Sequence, residues 1–214
     1  MLTIHTADLL VPGAGCAPLP GGAVAVDGDR IAALGPYEEV AAAYPRARVR
    51  RWPGVLTPGL VRGGAAEFLE AAYHPDPREA DALGTEPVTG EALTALGMTD
   101  ARWGESARRG VQRLLRGGVT AVVGPFTRPE TRTAVARSGM ALLSEASEAS
   151  EASEASEGAA TGAGFAGTLA PGARADFAVF DVLAEDATPV TLAEAGARSC
   201  VATVLGGRLL HRRR

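Results

Sequence analysis

The sequence predicts an α+β protein in which both chain ends build one β domain around an α/β insertion. Three observations predict it. Short strand-like runs and tight hairpins fill the chain from Met1 to Thr57 and return near Phe165. Between them the hydrophobic period changes to that of amphipathic helices alternating with buried strands. An acidic three-residue repeat then separates the insertion from the closing strands.

The first strand candidate is "MLTIHTADLL". "GAVAVDGDRIAALG" follows as a hairpin, because Asp27-Gly28 separates two apolar runs. "ARVRRWPGVLTPG" continues the strand pattern. "AAEFLEAAYH" has helical composition, ending at Pro75 and Pro77. The stretch from His74 to Leu93 is polar and broken by proline, which reads as a long loop, either a connection or a lid or partner contact.

From Ala107 onward Val111, Leu114 and Leu115 form an apolar stripe opposite Arg108, Arg109, Gln112, Arg113 and Arg116, a helix stopped by Gly117-Gly118. "VTAVVG" reads as a buried strand, and "TRPE" (Thr127 to Glu130) as a capping box opening a helix that ends at Ser138-Gly139. "MALLS" is a further short strand. Helix and strand alternating in this way form parallel crossover units.

"SEASEASEASEASEG" (Ser144 to Gly158) has no apolar face at either period, and its glutamates repel at helical spacing. It reads as a solvated linker that as a coil would span about 20 Å. Beyond it, "ADFAVFDV" alternates around Phe177, Val179 and Asp181, and "CVATVLGGRLLH" is a hairpin about Gly206-Gly207.

Composition bounds the function classes. The chain has 214 residues, 46% hydrophobic and 21% charged, which is enough for a packed core. All 21 basic residues are arginine, and the net charge of -4 leaves no footprint for nucleic acid. The tail His211-Arg212-Arg213-Arg214 is too short to change that. No run approaches the ~18 apolar residues of a membrane span, and Met1 to Leu10 lacks the features of a signal peptide. Cys16 and Cys200 lie far apart and read as free thiols, so a cytoplasmic protein is expected.

Five segments in order carry a family resemblance: "VDGDRIAALGP", "GVLTPGLV", "RRGVQRLLRGGVTAVVG", "GTLAPGARADFAVFD" and "VATVLGGRLL". Together they resemble the amidohydrolase superfamily, and within it the imidazolonepropionase and aminofutalosine-deaminase-like proteins. That resemblance implies a composite β-sandwich from both termini, here residues 1–57 and 165–214, around a (β/α) barrel. The insertion at 58–143 is too short for a full barrel of about 250 residues, so a truncated, partial barrel is expected, with 144–164 as linker.

The family's "PGLV" is followed by a His-x-His that holds zinc or iron. Those positions fall at Gly64 and Ala66, which offer no donor atom. The resemblance therefore implies no metal, cofactor-binding or catalytic residue in the family's manner. Of the three histidines, His5 and His211 read as surface or sandwich residues. His74 would share a helix face with Glu67 and Glu70, with Asp76 close by; carboxylates and an imidazole can hold a metal, but a solvated face with a helix-end histidine is the simpler reading. Trp52 and Trp103 read as packing residues. Three functions follow: a non-catalytic binding or assembly protein, a hydrolase of non-peptide C–N bonds with a relocated or inter-subunit metal site, or a degenerate product without a role. A partial barrel leaves strand edges unpaired, so a homo-oligomer or a longer amidohydrolase-like partner is expected.

Overall fold

The computed structural model describes residues 2–144 and 163–213; the acidic repeat after Ser144 lies outside them. The chain is mixed α+β, with three sheets among the described residues and no closed barrel. Strands β1 (Thr3–Thr6), β2 (Leu9–Leu10) and β3 (Leu19–Pro20) lead into the hairpin β4 (Gly22–Asp27) and β5 (Arg30–Pro36). Helix α1 (Tyr37–Ala43), β6 (Arg48–Arg51), β7 (Val55–Pro58) and β8 (Leu60–Arg62) follow. Then come α2 (Ala65–Glu70), α3 (Ala80–Leu83), α4 (Gly90–Ala95), α5 (Asp100–Arg116), β9 (Val119–Val123), α6 (Pro129–Ser138) and β10 (Ala141–Leu143). The chain closes with β11 (Ala163–Phe165), β12 (Phe177–Phe180), α7 (Pro189–Ala195), β13 (Cys200–Leu205) and β14 (Arg208–Arg212).

One four-stranded sheet has the order β5-β4-β1-β6, and a six-stranded sheet has the order β14-β13-β12-β7-β2-β3. The six-stranded sheet joins the two chain ends directly, because β12 pairs antiparallel with β7 from Phe177 opposite Pro58 to Phe180 opposite Val55. A third sheet, β10-β9-β8-β11, carries the parallel pairs β8–β9 and β9–β10, with helices in the connections. Its last strand, β11, runs antiparallel to β8, so residues 163–165 belong to this sheet.

The strand at Phe177 to Phe180 does more than alternate: every residue in it is buried. Phe177 and Val179 enter a core with Leu10, Val24, Ile31 and Leu56, which the four-stranded and six-stranded sheets share. Ala178 and Phe180 enter a second core with Leu60, Leu69, Val111, Leu114, Leu115 and Val135. Period-2 side chains thus feed two cores from one strand. Asp181 lies outside that strand and is exposed.

The helix expected from Ala107 begins earlier, at Asp100, because the Thr99 hydroxyl accepts from the Arg102 N–H at 3.3 Å and so caps the first turn. Its apolar side, extended to Trp103 and Ala107, is buried inside this chain. Gly117 ends it as expected. The Thr203 hydroxyl of β13 donates to the Leu115 carbonyl at 2.6 Å, satisfying one of the carbonyls that a helix end leaves open. Trp52 and Trp103 are both buried. Both cysteines are free, and burial pushes the Cys200 thiol up to about 11.

His5 is an interior residue rather than a surface one. It is buried between Trp52, whose indole N–H donates to its Nδ1 at 3.2 Å, and Phe177, whose ring meets it edge-on at 4.9 Å. Burial, and then the charge of Arg50, push its pKa down to about 3. His211 is half-buried on β14, with Thr203 as its register partner.

Phe180→Ala removes the largest side chain that β12 sends into the helical core and should cost about 3–5 kcal/mol in urea denaturation. A pH effect is expected from His5, which accepts a proton in the unfolded chain below about pH 6.5. When folded it resists protonation until about pH 3. Stability should therefore be level above pH 7 and fall as pH drops through that window, by at most about 1.4 kcal/mol per pH unit from this residue. His5→Asn, which keeps an acceptor for Trp52, should flatten the wild-type slope between pH 6 and 4; an identical slope in both proteins would show that His5 is not the source.

Candidate functional site

Strand β8 ends at Arg62 and the chain turns through Gly63 and Gly64 into α2. Gly64 takes a left-handed conformation, φ 60° and ψ 26°. Glycine adopts it without steric cost and other residues adopt it rarely. Ala66 is half-buried and packs against the helical core. The two positions at which the resemblance places a metal-binding pair therefore carry no side-chain donor. Among the described residues no group of three or more His, Cys, Asp or Glu side chains is placed to hold a metal ion. A zinc or iron site of the family's kind does not fit these residues.

Helix α2 stops at Glu70, so Glu67, Glu70 and His74 do not share a helix face. Glu67 points to solvent. Glu70 accepts from the Thr127 N–H at 3.0 Å, the Thr127 hydroxyl at 2.7 Å and the Arg128 N–H at 2.7 Å. Burial works against its charge, but those bonds, from Arg128 and then Thr127, hold its pKa below the usual carboxylate range. The expected Thr127–Glu130 capping box is not formed: Arg128 is the N-cap residue, without a side-chain bond of its own. A carboxylate from α2 performs the task instead, and no local pattern announces it.

His74 is fully buried. Its backbone N–H donates to the Ser106 hydroxyl at 2.9 Å, and its Nε2 lies 2.9 Å from the Phe68 carbonyl. A carbonyl can only accept, which fixes the proton on that nitrogen. Nδ1 meets no polar partner. Burial foremost, then Arg113 and Arg109, keep its pKa below 6.5 against the pull of the Phe68 carbonyl. The ring sits under α5 where Gly110 lacks a side chain; a Cβ there would lie 2.8 Å from His74 Nε2.

The stretch after His74 is ordered rather than irregular. A 3-10 turn, Pro77–Glu79, and the helices α3 and α4 break it up, and Tyr73 bridges to Val88. Three arginines of α5 hold it down: Arg102 to Glu79 at 2.8 Å, Arg109 to Asp76 at 3.5 Å, and Arg113 to Glu86 at 3.7 Å. Asp76 also caps the 3-10 turn through the Arg78 N–H at 2.9 Å.

Beside β8 lies an open groove of about 390 Å³, lined among others by Leu60, Arg62, Phe68, Arg113, Val190 and Glu194. The Arg62 guanidinium stands 5.3 Å from the centre of the Phe68 ring. Two arginines, one carboxylate and an apolar floor suit a small charged ligand. Among the described residues no histidine, cysteine, serine or threonine lines it, so they bring no hydroxyl or thiol nucleophile with an adjacent imidazole to it. The sequence does not announce this groove, because α7, which supplies Val190 and Glu194, is brought to β8 only by the fold.

Residues 22–47, the β4–β5 hairpin and α1, match the sequence profile of the imidazolonepropionase-like composite domain of bacteria. The chain is imidazolonepropionase-like in this segment. The match falls on the hairpin "VDGDRIAALGP" and supports the resemblance that the five sequence segments carry. No curated protein matches the chain. Among solved structures, A. niger ochratoxinase is similar at 23% identity and TM-score 0.45, over 67% of this chain and 31% of its own. Helicobacter pylori aminofutalosine deaminase is similar at 16% identity and TM-score 0.43, over 67% and 33%. E. coli guanine deaminase gives 14% and 0.44, over 67% and 36%. The chain thus spans about a third of the length of these structures.

The cap on α6 is testable. Glu70→Ala should leave the donors at Thr127 and Arg128 without their carboxylate and cost about 1–2 kcal/mol. A thermal melt unchanged from wild type would show that water replaces the carboxylate without loss.

Proposed function

We propose that this chain is a non-catalytic relative of the amidohydrolases that acts by binding or assembly. In this reading both chain ends (1–57 and 165–214) form a composite β-sandwich, 58–143 is the remnant of a βα barrel, and 144–164 links them, except that β11 (Ala163–Phe165) pairs with β8 of the remnant. The observation that carries it is Gly64: a glycine in left-handed backbone stands where the resemblance requires an imidazole, and Ala66 follows. Of the other candidates for a ligand set, Glu67 points to solvent, Glu70 caps α6, His74 packs under α5 and Asp76 caps the 3-10 turn. The groove beside β8 supports binding, since its described residues offer charge and apolar surface without a hydroxyl or thiol nucleophile.

Assembly has its own support. Among the described residues strand β10 is an edge of its sheet, and Leu142 on it is 60% exposed. A second copy or a longer amidohydrolase-like partner pairing there would cover Leu142 and continue the parallel sheet. Protein purified without chelators should contain no stoichiometric zinc or iron by elemental analysis. About one ion per chain, lost in His74→Ala while the fold is retained, would overturn this reading and revive that of a hydrolase with a relocated metal.

A further inference from the structure

We propose that Arg48, Arg50 and Arg212 form a binding site for a small phosphate-type dianion at the open mouth between the four-stranded and six-stranded sheets. Strand β6 is an edge of the first sheet and β14 an edge of the second. Arg50 is the register partner of His5, whose ring meets Phe177 of the opposite sheet. Positions 48 and 50 therefore face the gap between the sheets. From the other side, the Arg212 guanidinium lies 5.8 Å from the centre of the Trp52 ring, and Trp52 in turn is bonded to His5. Arg48 and Arg50 on one sheet edge and Arg212 on the other thus face the same gap, with the Trp52 ring beneath Arg212.

Among the described residues no ion pair joins Arg48, Arg50 or Arg212 to a carboxylate; other arginines, such as Arg62, Arg108 and Arg128, share that, but these three lie on facing edges of two sheets. The chain as a whole carries a net charge of -4, so this grouping does not follow from an excess of cations. Arg50 Nε is buried and has no acceptor. Burial first, then the charges of Arg48 and Arg212, pull the Arg50 guanidinium below its ordinary pKa.

Arginine stems covering an open edge would explain why Arg212 lies over Trp52. They do not explain three like charges gathered with no carboxylate partner among the described residues. A phosphate group supplies what is missing: its oxygens accept from the outer nitrogens of planar guanidinium forks, and two negative charges offset the mutual repulsion. Neutral His5 and the Trp52 ring form a floor that adds no further charge. This site is separate from the groove beside β8 and does not depend on the function proposed for it.

Calorimetric titration and thermal melts of the full chain with inorganic phosphate test the site, against sodium chloride at matched ionic strength. Saturable binding is expected, with a melting temperature raised by roughly 5–10 °C at a hundredfold excess over Kd. Arg50→Gln and, should that variant not fold, the exposed Arg212→Gln should lose most of the rise, while Arg108→Gln on α5 should keep it. Equal melts in phosphate and chloride, or an undiminished response in Arg212→Gln, would overturn the proposal. So would binding to phosphatidic-acid vesicles with no response to soluble phosphate, which would place the cluster at a lipid surface instead.

Discussion

The structure depends on one strand that has no solvent face. Phe177 to Phe180 forms the middle of the six-stranded sheet and sends alternate side chains into two separate cores. Each core needs the other, because removing either layer would expose one full face of that strand. The chain ends meet there as well, since β7, early in the sequence, lies beside β12, near its end. Burial of this kind fixes register: a slip of one residue would send Phe177 and Phe180 into the wrong layers. The hairpins and helices are then arranged by what they cover.

Arginine organises much of the remaining surface. On α5 Arg102, Arg109 and Arg113 each draw in an acid from the stretch after His74. Exposed pairs contribute little individually, but Arg109 also donates to the His74 carbonyl at 2.7 Å and Arg102 to the Leu96 carbonyl at 2.7 Å. Backbone bonds of this type tie a proline-broken segment to a helix without needing an apolar core in it. Among the described residues the arginines of β6 and β14 have no carboxylate partner.

Local signals carry the fold further than they carry the site. The hairpins at Gly28 and at Gly206-Gly207, the buried run Val119–Val123 and the stop at Gly117-Gly118 are legible because turn chemistry and periodicity act within a few residues. The absent donors at Gly64 and Ala66 are legible in the same way. Other features are not, and for a common reason: their partners are distant in sequence. Glu70 caps a helix that begins only at Pro129, an arrangement that resembles a local box when Thr127 is considered alone. His74 reads as a helix-face residue because Ala71 and Ala72 suit a helix, yet α2 ends early so that the ring can enter the space over Gly110. The β11–β8 pairing and the α7 wall of the groove also arise only in three dimensions.

The turn after β8 combines these effects. In left-handed backbone, a non-glycine residue at 64 would carry a strain of order 1–3 kcal/mol, so a histidine there would be opposed by the backbone before any metal were considered. The next imbalance lies at α5, where Gly110 weakens a helix interior by up to about 1 kcal/mol relative to alanine. That cost has a visible return, because the missing Cβ is where His74 and Leu69 pack. An imidazole is thus present near the end of β8, but it is turned inward, held neutral by burial and bonded to the Phe68 carbonyl. Restoring a ligand at 64 alone would leave His74 committed to this packing, and moving His74 out would open a cavity beneath α5. The backbone of the turn and the glycine on the helix therefore favour the same state, in which Gly64 stays an exposed turn and His74 serves as core.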